Sequence, residues 1–159
     1  VVLNPLNEKL LKETFGYIPN RGEYIETIMN EGCPAYVKKE TITPKEAADI
    51  IRTANGKVVL AHPVAYEHED NLTEEDILQI VKDMKTDGLE ANYIYIDRNN
   101  QIFDETSKWN NFAKENNLFV TIGSDFHNKD GIRPEIGFIN TEFSLDGKTV
   151  DEILKNLYM

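Results

Sequence analysis

Cysteine is almost missing from this chain: Cys33 is the single one in 159 residues. One thiol cannot form an internal disulfide, so a reducing, cytoplasmic location is expected. With Gly32 and Pro34 as its neighbours and no histidine nearby, Cys33 reads as a packed thiol rather than a nucleophile. Long apolar runs are missing as well. None approaches the roughly 20 residues that cross a bilayer, so no membrane partner is expected. The opening Val1-Val2-Leu3-Asn4-Pro5 has no charged leader pattern and reads as the middle of something, a fragment or a processed product. Bases are scarce beside acids, 17 Lys and Arg against 28 Asp and Glu, for a net charge of −11. Phosphate contacts along a polynucleotide need clustered bases, so this balance argues against a nucleic-acid surface. A small anionic substrate held by metal ions and one or two local bases stays open.

What is present alternates between helix and strand. Apolar positions at helical spacing predict helices over 6–15 and 22–30, closed near Gly16 and Gly32. Thr43-Pro44-Lys45-Glu46 is a start signal: Thr43 can cap, Pro44 suits the first helical position, and Glu46 can reach back. Ala47, Ala48, Ile50, Ile51 and Ala54 then form the expected buried stripe. Val58 to Ala61, Leu89 to Tyr95 and Leu118 to Ile122 read as strands. Helices are expected from Thr73 and over 103–116 between them. A last short strand is expected over 136–139 and a terminal helix over 150–157. Strands separated by helices are the rhythm of a parallel α/β sheet in one domain. Residues 1–56 are mainly helical, 57–140 carry βα units, and 141–159 form the closing helix. Glu67 to Asp70 and 97–100 read as solvated loops.

Histidine is the third scarce residue, with three in all, yet two of them stand just past strands. His62 follows Lys57-Val58-Val59-Leu60-Ala61, and His127 closes Gly123-Ser124-Asp125-Phe126-His127. Because Pro63 follows His62, its backbone is expected to stay extended. Asp125 and His127, two apart, would share a face of an extended segment. A carboxylate oxygen beside imidazole nitrogens is a divalent-metal donor set. The bland alternatives are a His62 bonded to a loop carbonyl and an Asp125 capping a following helix, although 128–131 looks like a loop. Ser124 lacks the Gly-x-Ser-x-Gly elbow and reads as a turn residue. Strand alternation places Leu89, Ala91 and Tyr93 on one face, with Glu90 and Asn92 on the other. Glu90 then points into a cleft as a metal ligand, as an orienter of a ligating histidine, or as an ion-pair partner. His68, among Glu67, Glu69 and Asp70, is expected to be an exposed loop residue without a role.

Leu60-Ala61-His62-Pro63, Gly88-Leu89-Glu90 and Gly123-Ser124-Asp125-Phe126-His127, in that order, resemble the later motifs of the PHP (polymerase and histidinol phosphatase) family of metal-dependent phosphoesterases. Residues 21–39, with Gly32-Cys33-Pro34-Ala35-Tyr36-Val37, also resemble the helical segment before the Ala-His-Pro motif in the branch acting on nucleotides and short nucleic acids. The resemblance implies that the chain forms the C-terminal part of a distorted (β/α)7 TIM-like barrel. It implies up to three divalent ions (Mn, Fe or Zn), with His62, Asp125 and His127 as metal ligands. Glu90 matches a site residue without a fixed role.

The implied substrate is a small phosphorylated molecule, with nucleic acid only as a short substrate. Lys38, Lys39 and Arg133 are candidate phosphate-binding bases, and Arg133 stands out because its planar fork follows the Asp-His motif closely. The family's earlier ligands include a His-x-His pair that three histidines cannot supply. Truncation is the expected reason, so this chain alone is expected to turn over little and to self-associate through exposed strand edges. A non-catalytic PHP-like binding module and an amidohydrolase are the rival readings.

Overall fold

The computed structural model describes residues 1–127, 129, 131, 135–136 and 147–158. They divide into two compact units, Val1–Thr41 and Ile42–Met159. In the first, a tight turn over Pro5–Asn7 leads into helix α1 (Glu8–Phe15). Gly16, left-handed at φ 78°, ends α1, a conformation glycine adopts without a Cβ clash. Helix α2 (Arg21–Tyr24) starts on a reciprocal cap in which Asn20 and Glu23 satisfy each other's backbone N–H, and it runs on as a wider turn over Ile25–Met29. The Cys33 thiol donates to the Glu26 carbonyl at 3.3 Å, consistent with a packed thiol.

The second unit opens with α3 (Pro44–Thr53), and the expected start signal holds in full. Thr43 and Glu46 form the capping box, and Pro44 sits in the first turn. The expected buried stripe does not hold. Ala48 is fully buried, but Ile50 and Ile51 are 60% and 39% exposed. The helix packs toward α5 (Glu74–Met84) with Ala48 as its one buried residue, and among the described residues β1 (Val59–Leu60) is an edge of the sheet.

Helix α4 (Pro63–Asp70) occupies what the sequence suggested was partly loop. Its N-terminal residues Pro63, Val64 and Ala65 are buried, while its last turn is acidic and solvated. That composition hides the helical period. After α5 come β2 (Gly88–Asn92), β3 (Tyr95–Ile96), β4 (Ile102–Phe103), α6 (Thr106–Glu115) and β5 (Phe119–Ile122). The strand expected over 89–95 is thus split, and Phe103 lies in a strand rather than in the following helix. β3 and β4 form an antiparallel hairpin, turned by Asp97, whose Oδ1 accepts from the N–H of Asn99 and of Gln101. Helix α7 (Gly147–Tyr158) covers the expected terminal helix. The strand expected over 136–139 lies outside the described residues.

β1, β2 and β5 form a parallel sheet in the order β1-β2-β5, making this a mixed α/β unit. Its core joins Leu60, Ile77, Leu89, Tyr93, Trp109 and Phe112. Burying such side chains contributes about 1.5–3 kcal/mol each. No helix among the described residues is long and apolar enough to cross a membrane.

A polar clasp joins α4 to α6. Lys108 bonds the Glu67 carboxylate and lies 3.6 Å from Glu105, and His68 Nε2 sits 2.9 Å from Glu105 Oε1. His68 is therefore a helical residue with an ionic neighbour and a Phe103 ring against it, not a loop residue. Glu67 Oε2 and Glu105 Oε2 are both buried without a conventional partner. The two carboxylates are expected to share one proton. Burial, and then the hydrogen bond with Glu105, raise the Glu67 pKa against the opposing pull of Lys108. At Glu105 burial pushes upward, but the hydrogen bonds with Glu67 and His68 and the Lys108 charge outweigh it and the pKa falls.

The sign follows from linkage. Glu67 adds stability that is complete below its unfolded pKa and lost as pH rises through its raised folded one. Glu105 adds stability that is complete above its unfolded pKa and lost as pH falls. Stability is therefore expected to be higher near pH 5 than near pH 8. In Glu67→Gln, whose amide supplies the shared hydrogen at every pH, the fall should be flatter by about 1 kcal/mol, one hydrogen bond's worth. Urea midpoints at the two pH values check it. Equal slopes in both proteins would rule out the shared proton.

Candidate metal centre

His62 follows β1, Glu90 lies in the middle of β2 with Tyr93 just past its end, and Asp125 and His127 follow β5, so these residues lie at or near the C-terminal edge of the parallel sheet. That edge is where open α/β sheets carry their sites. His62 is not extended as expected. It is the N-cap of α4 in the left-handed region, at φ 30° and ψ 61°. Pro63 disfavours the right-handed helical region for the residue before it, and here the chain escapes to the left-handed side. A non-glycine residue held there stores about 1–3 kcal/mol. The holding contact is visible: the His62 N–H donates to Glu90 Oε2 at 2.9 Å.

The Glu90 carboxyl is partly buried, and desolvation raises its pKa, with the nearby Asp125 charge adding to the rise and the His62 N–H opposing it. Its Oε1 lies where a side chain on Gly123 would start. A Cβ built on Gly123 would fall 1.8 Å from that oxygen. Gly123 is thus glycine because β2 and the end of β5 approach closely around a carboxylate, and its own N–H donates to the Asn92 carbonyl.

The His62 imidazole packs against Tyr66 and Tyr93, with ring centroids at 5.3 Å and 5.6 Å. Its Nδ1 is buried and has no hydrogen-bond partner among the described residues. A buried ring nitrogen normally finds a partner, and a neutral imidazole lone pair left free is what a metal ion uses. Asp125 and His127 do converge: Asp125 Oδ1 and His127 Nε2 are 3.2 Å apart, with side chains 38% and 73% exposed. The cause is a left-handed turn at Asp125, φ 47°, rather than the shared face of an extended segment.

Tyr93 is the residue that sequence reasoning missed. Simple alternation placed it under a helix with Leu89 and Ala91. The β2–β5 register shifts between Leu89 and Asn92, and one irregular residue exchanges the faces beyond it. Asn92 consequently accepts from Asn110 of α6. Tyr93 instead meets the His62 ring and donates to Asp125 Oδ2 at 3.4 Å. Burial, then the Asp125 charge and hydrogen bond, push the Tyr93 phenol well above its ordinary range.

The structure therefore joins His62 to Glu90, joins Asp125 to His127, and links the two pairs through Tyr93. Among the described residues no group of three or more His, Cys, Asp or Glu side chains is arranged to hold a metal ion. The expected ligands do not form a closed set: His62 is linked to Asp125 only by way of Tyr93, and the orphaned Nδ1 is the feature that fits a cation. Lys38 and Lys39 lie exposed in the first unit. Arg133 lies outside the described residues.

No family model matches the chain. A 5'-3' exoribonuclease of Haemophilus influenzae is 30% identical over 115 residues, which is 70% of this chain and 39% of that protein. The chain is also similar to a solved structure from Bifidobacterium adolescentis titled a "putative metal-dependent phosphoesterase". The likeness has a TM-score of 0.54 at 22% identity and covers 96% of this chain and 49% of the other. The chain thus spans half or less of each of these two proteins. The second likeness shows a shared α/β fold.

Proposed function

We propose that this chain carries part of the centre of a divalent-metal-dependent phosphoesterase of the PHP type, acting on nucleotides or short nucleic acids in the cytoplasm. The observation that carries the reading is the buried, unpartnered His62 Nδ1, set beside a half-buried carboxylate and linked through Tyr93 to the Asp125–His127 pair. The parallel β1-β2-β5 order is what one arc of a (β/α) barrel supplies. Likeness to an exoribonuclease over 70% of the chain favours a phosphodiester substrate.

His62 would offer Nδ1, and Asp125 and His127 an oxygen and a nitrogen. Glu90 holds the His62 backbone and so sets where its ring points. Arg133 is the base assigned to the substrate phosphate. Bound divalent ions, manganese, iron or zinc, would activate water and neutralise charge developing on the phosphoryl oxygens. The remaining ligands would come from elsewhere in a larger protein, so the 159-residue chain alone should turn over little.

The test compares metal content and hydrolysis of a generic aryl phosphate for the full-length protein and for His62→Ala, Asp125→Ala and His127→Ala. Loss of metal and a fall in activity of at least about a hundredfold are expected in each. Metal content and activity unchanged in all three would remove the site. A non-catalytic PHP-like module is the second reading, favoured by the unclosed ligand set among the described residues. Full metal loading without any phosphate-ester turnover by the full-length protein would select it.

A further inference from the structure

We infer that Tyr93 is a positioning residue of this centre, its ring setting the His62 imidazole and its hydroxyl setting the Asp125 carboxylate. The inference rests on the metal-site reading above and adds a residue that the sequence pattern does not assign.

Three observations carry it. First, Tyr93 touches both candidate ligands although 32 residues separate it from Asp125. Second, it is 7% exposed and belongs to the apolar core cluster. A hydroxyl there costs free energy unless it is bonded, so packing alone would be served as well by phenylalanine. The oxygen that needs a partner is aimed at Asp125 Oδ2. Third, Asp125 stands exposed on a left-handed turn beyond the end of β5, and its other polar side-chain contact among the described residues is His127, two residues away and itself 73% exposed. Among the described residues Tyr93 is thus the polar contact that ties this carboxylate to the sheet. The 3.4 Å separation is long for an O–H···O bond. Hydrogen bonds of this kind commonly tighten when the site is filled.

With Oδ2 engaged by the phenol, Oδ1 is the oxygen left to face His127 or a cation. The same residue fixes the tilt of the His62 ring through an aromatic contact. Groups that orient ligands in this way typically change metal affinity by about 10–100-fold when removed.

The experiment titrates the full-length protein with Co2+ and records binding by calorimetry together with the visible cobalt spectrum. Tyr93→Phe and Tyr93→Leu are compared with His62→Ala and Asp125→Ala. Tyr93→Phe should remain folded by circular dichroism, bind Co2+ about tenfold more weakly and shift the cobalt bands, because it keeps the ring contact and loses only the hydroxyl. Tyr93→Leu, losing both, should bind about 100-fold more weakly.

Tyr93→Phe that matches the parent in affinity and spectrum, while His62→Ala and Asp125→Ala lose the metal, would overturn the positioning role and leave the metal reading standing. Co2+ binding that is absent from the parent, or unaffected by His62→Ala and Asp125→Ala, would overturn both.

Discussion

Gly123→Ala should weaken binding at the proposed metal centre by no more than about 10–100-fold and cost about 2 kcal/mol of stability, within the range for stranding a partly buried N–H. The Cβ cannot be accommodated beside Glu90 Oε1 at 1.8 Å, so something has to move. Glu90 has a flexible side chain, and its carboxylate is the part that can retreat. The same carboxylate holds the His62 N–H through Oε2, and His62 occupies a strained left-handed conformation. Displacing Glu90 therefore releases the strand-end histidine and leaves a partly buried N–H unpaired. Glu90→Ala alone should weaken metal binding by the same route, by about 10–100-fold.

A double-mutant cycle separates the clash from any other effect. Glu90→Ala makes room for the new methyl group, so Gly123→Ala added to it should be nearly free. The coupling should be about 1–2 kcal/mol, as found for residues in direct contact. Urea unfolding of the four proteins measures it. Strict additivity would mean that Gly123 is not glycine for the sake of Glu90.

The fold was legible where chemistry is local. Thr43, Pro44 and Glu46 announced α3, and continuous apolar runs gave the three strands that pair in parallel. The failures share one cause, in that each needed information from another part of the chain. Ile50 and Ile51 have the period of a buried stripe, but whether a stripe is covered depends on what lies opposite. α4 begins on a strained histidine and ends in acids, so its amphipathic signal is weak, and the helix is set by burial of Pro63, Val64 and Ala65. His68 looked like loop because its partner, Glu105, is 37 residues away.

The site divides in the same way. The placement of His62, Asp125 and His127 just past strands was legible, as was Glu90 as a carboxylate on the less apolar face of its strand. Their relation to one another was not identifiable. Alternation along β2 predicts the face of Tyr93 only if the register is regular, and the shift between Leu89 and Asn92 is a property of the β2–β5 pairing rather than of β2 alone. Gly123 likewise gave no signal of its own, since its reason is a side chain 33 residues earlier.

Trp109→Ala should cost about 3–5 kcal/mol, the usual price of removing a large buried aromatic side chain. Trp109 is 1% exposed, meets Phe112 edge-on at 5.3 Å and has the Lys108 ammonium over its ring. It lies on α6, the helix packed most closely on β2, and β2 carries Glu90 and Tyr93. Native stability of a domain this size is about 5–15 kcal/mol, so the variant should sit close to unfolding at 37 °C and lose the site with the fold. Trp109→Phe tests the cause. The indole Nε1 is buried with no partner among the described residues, and replacing it removes an uncompensated polar atom as well as volume. The two effects oppose, so Trp109→Phe should cost only about 1–2 kcal/mol. Thermal and urea unfolding followed by circular dichroism reads both variants, since neither retains the chain's single tryptophan as a fluorophore. Equal losses in the two would mean that Nε1 has a partner in solution, and that the ring is held there by a hydrogen bond as much as by packing.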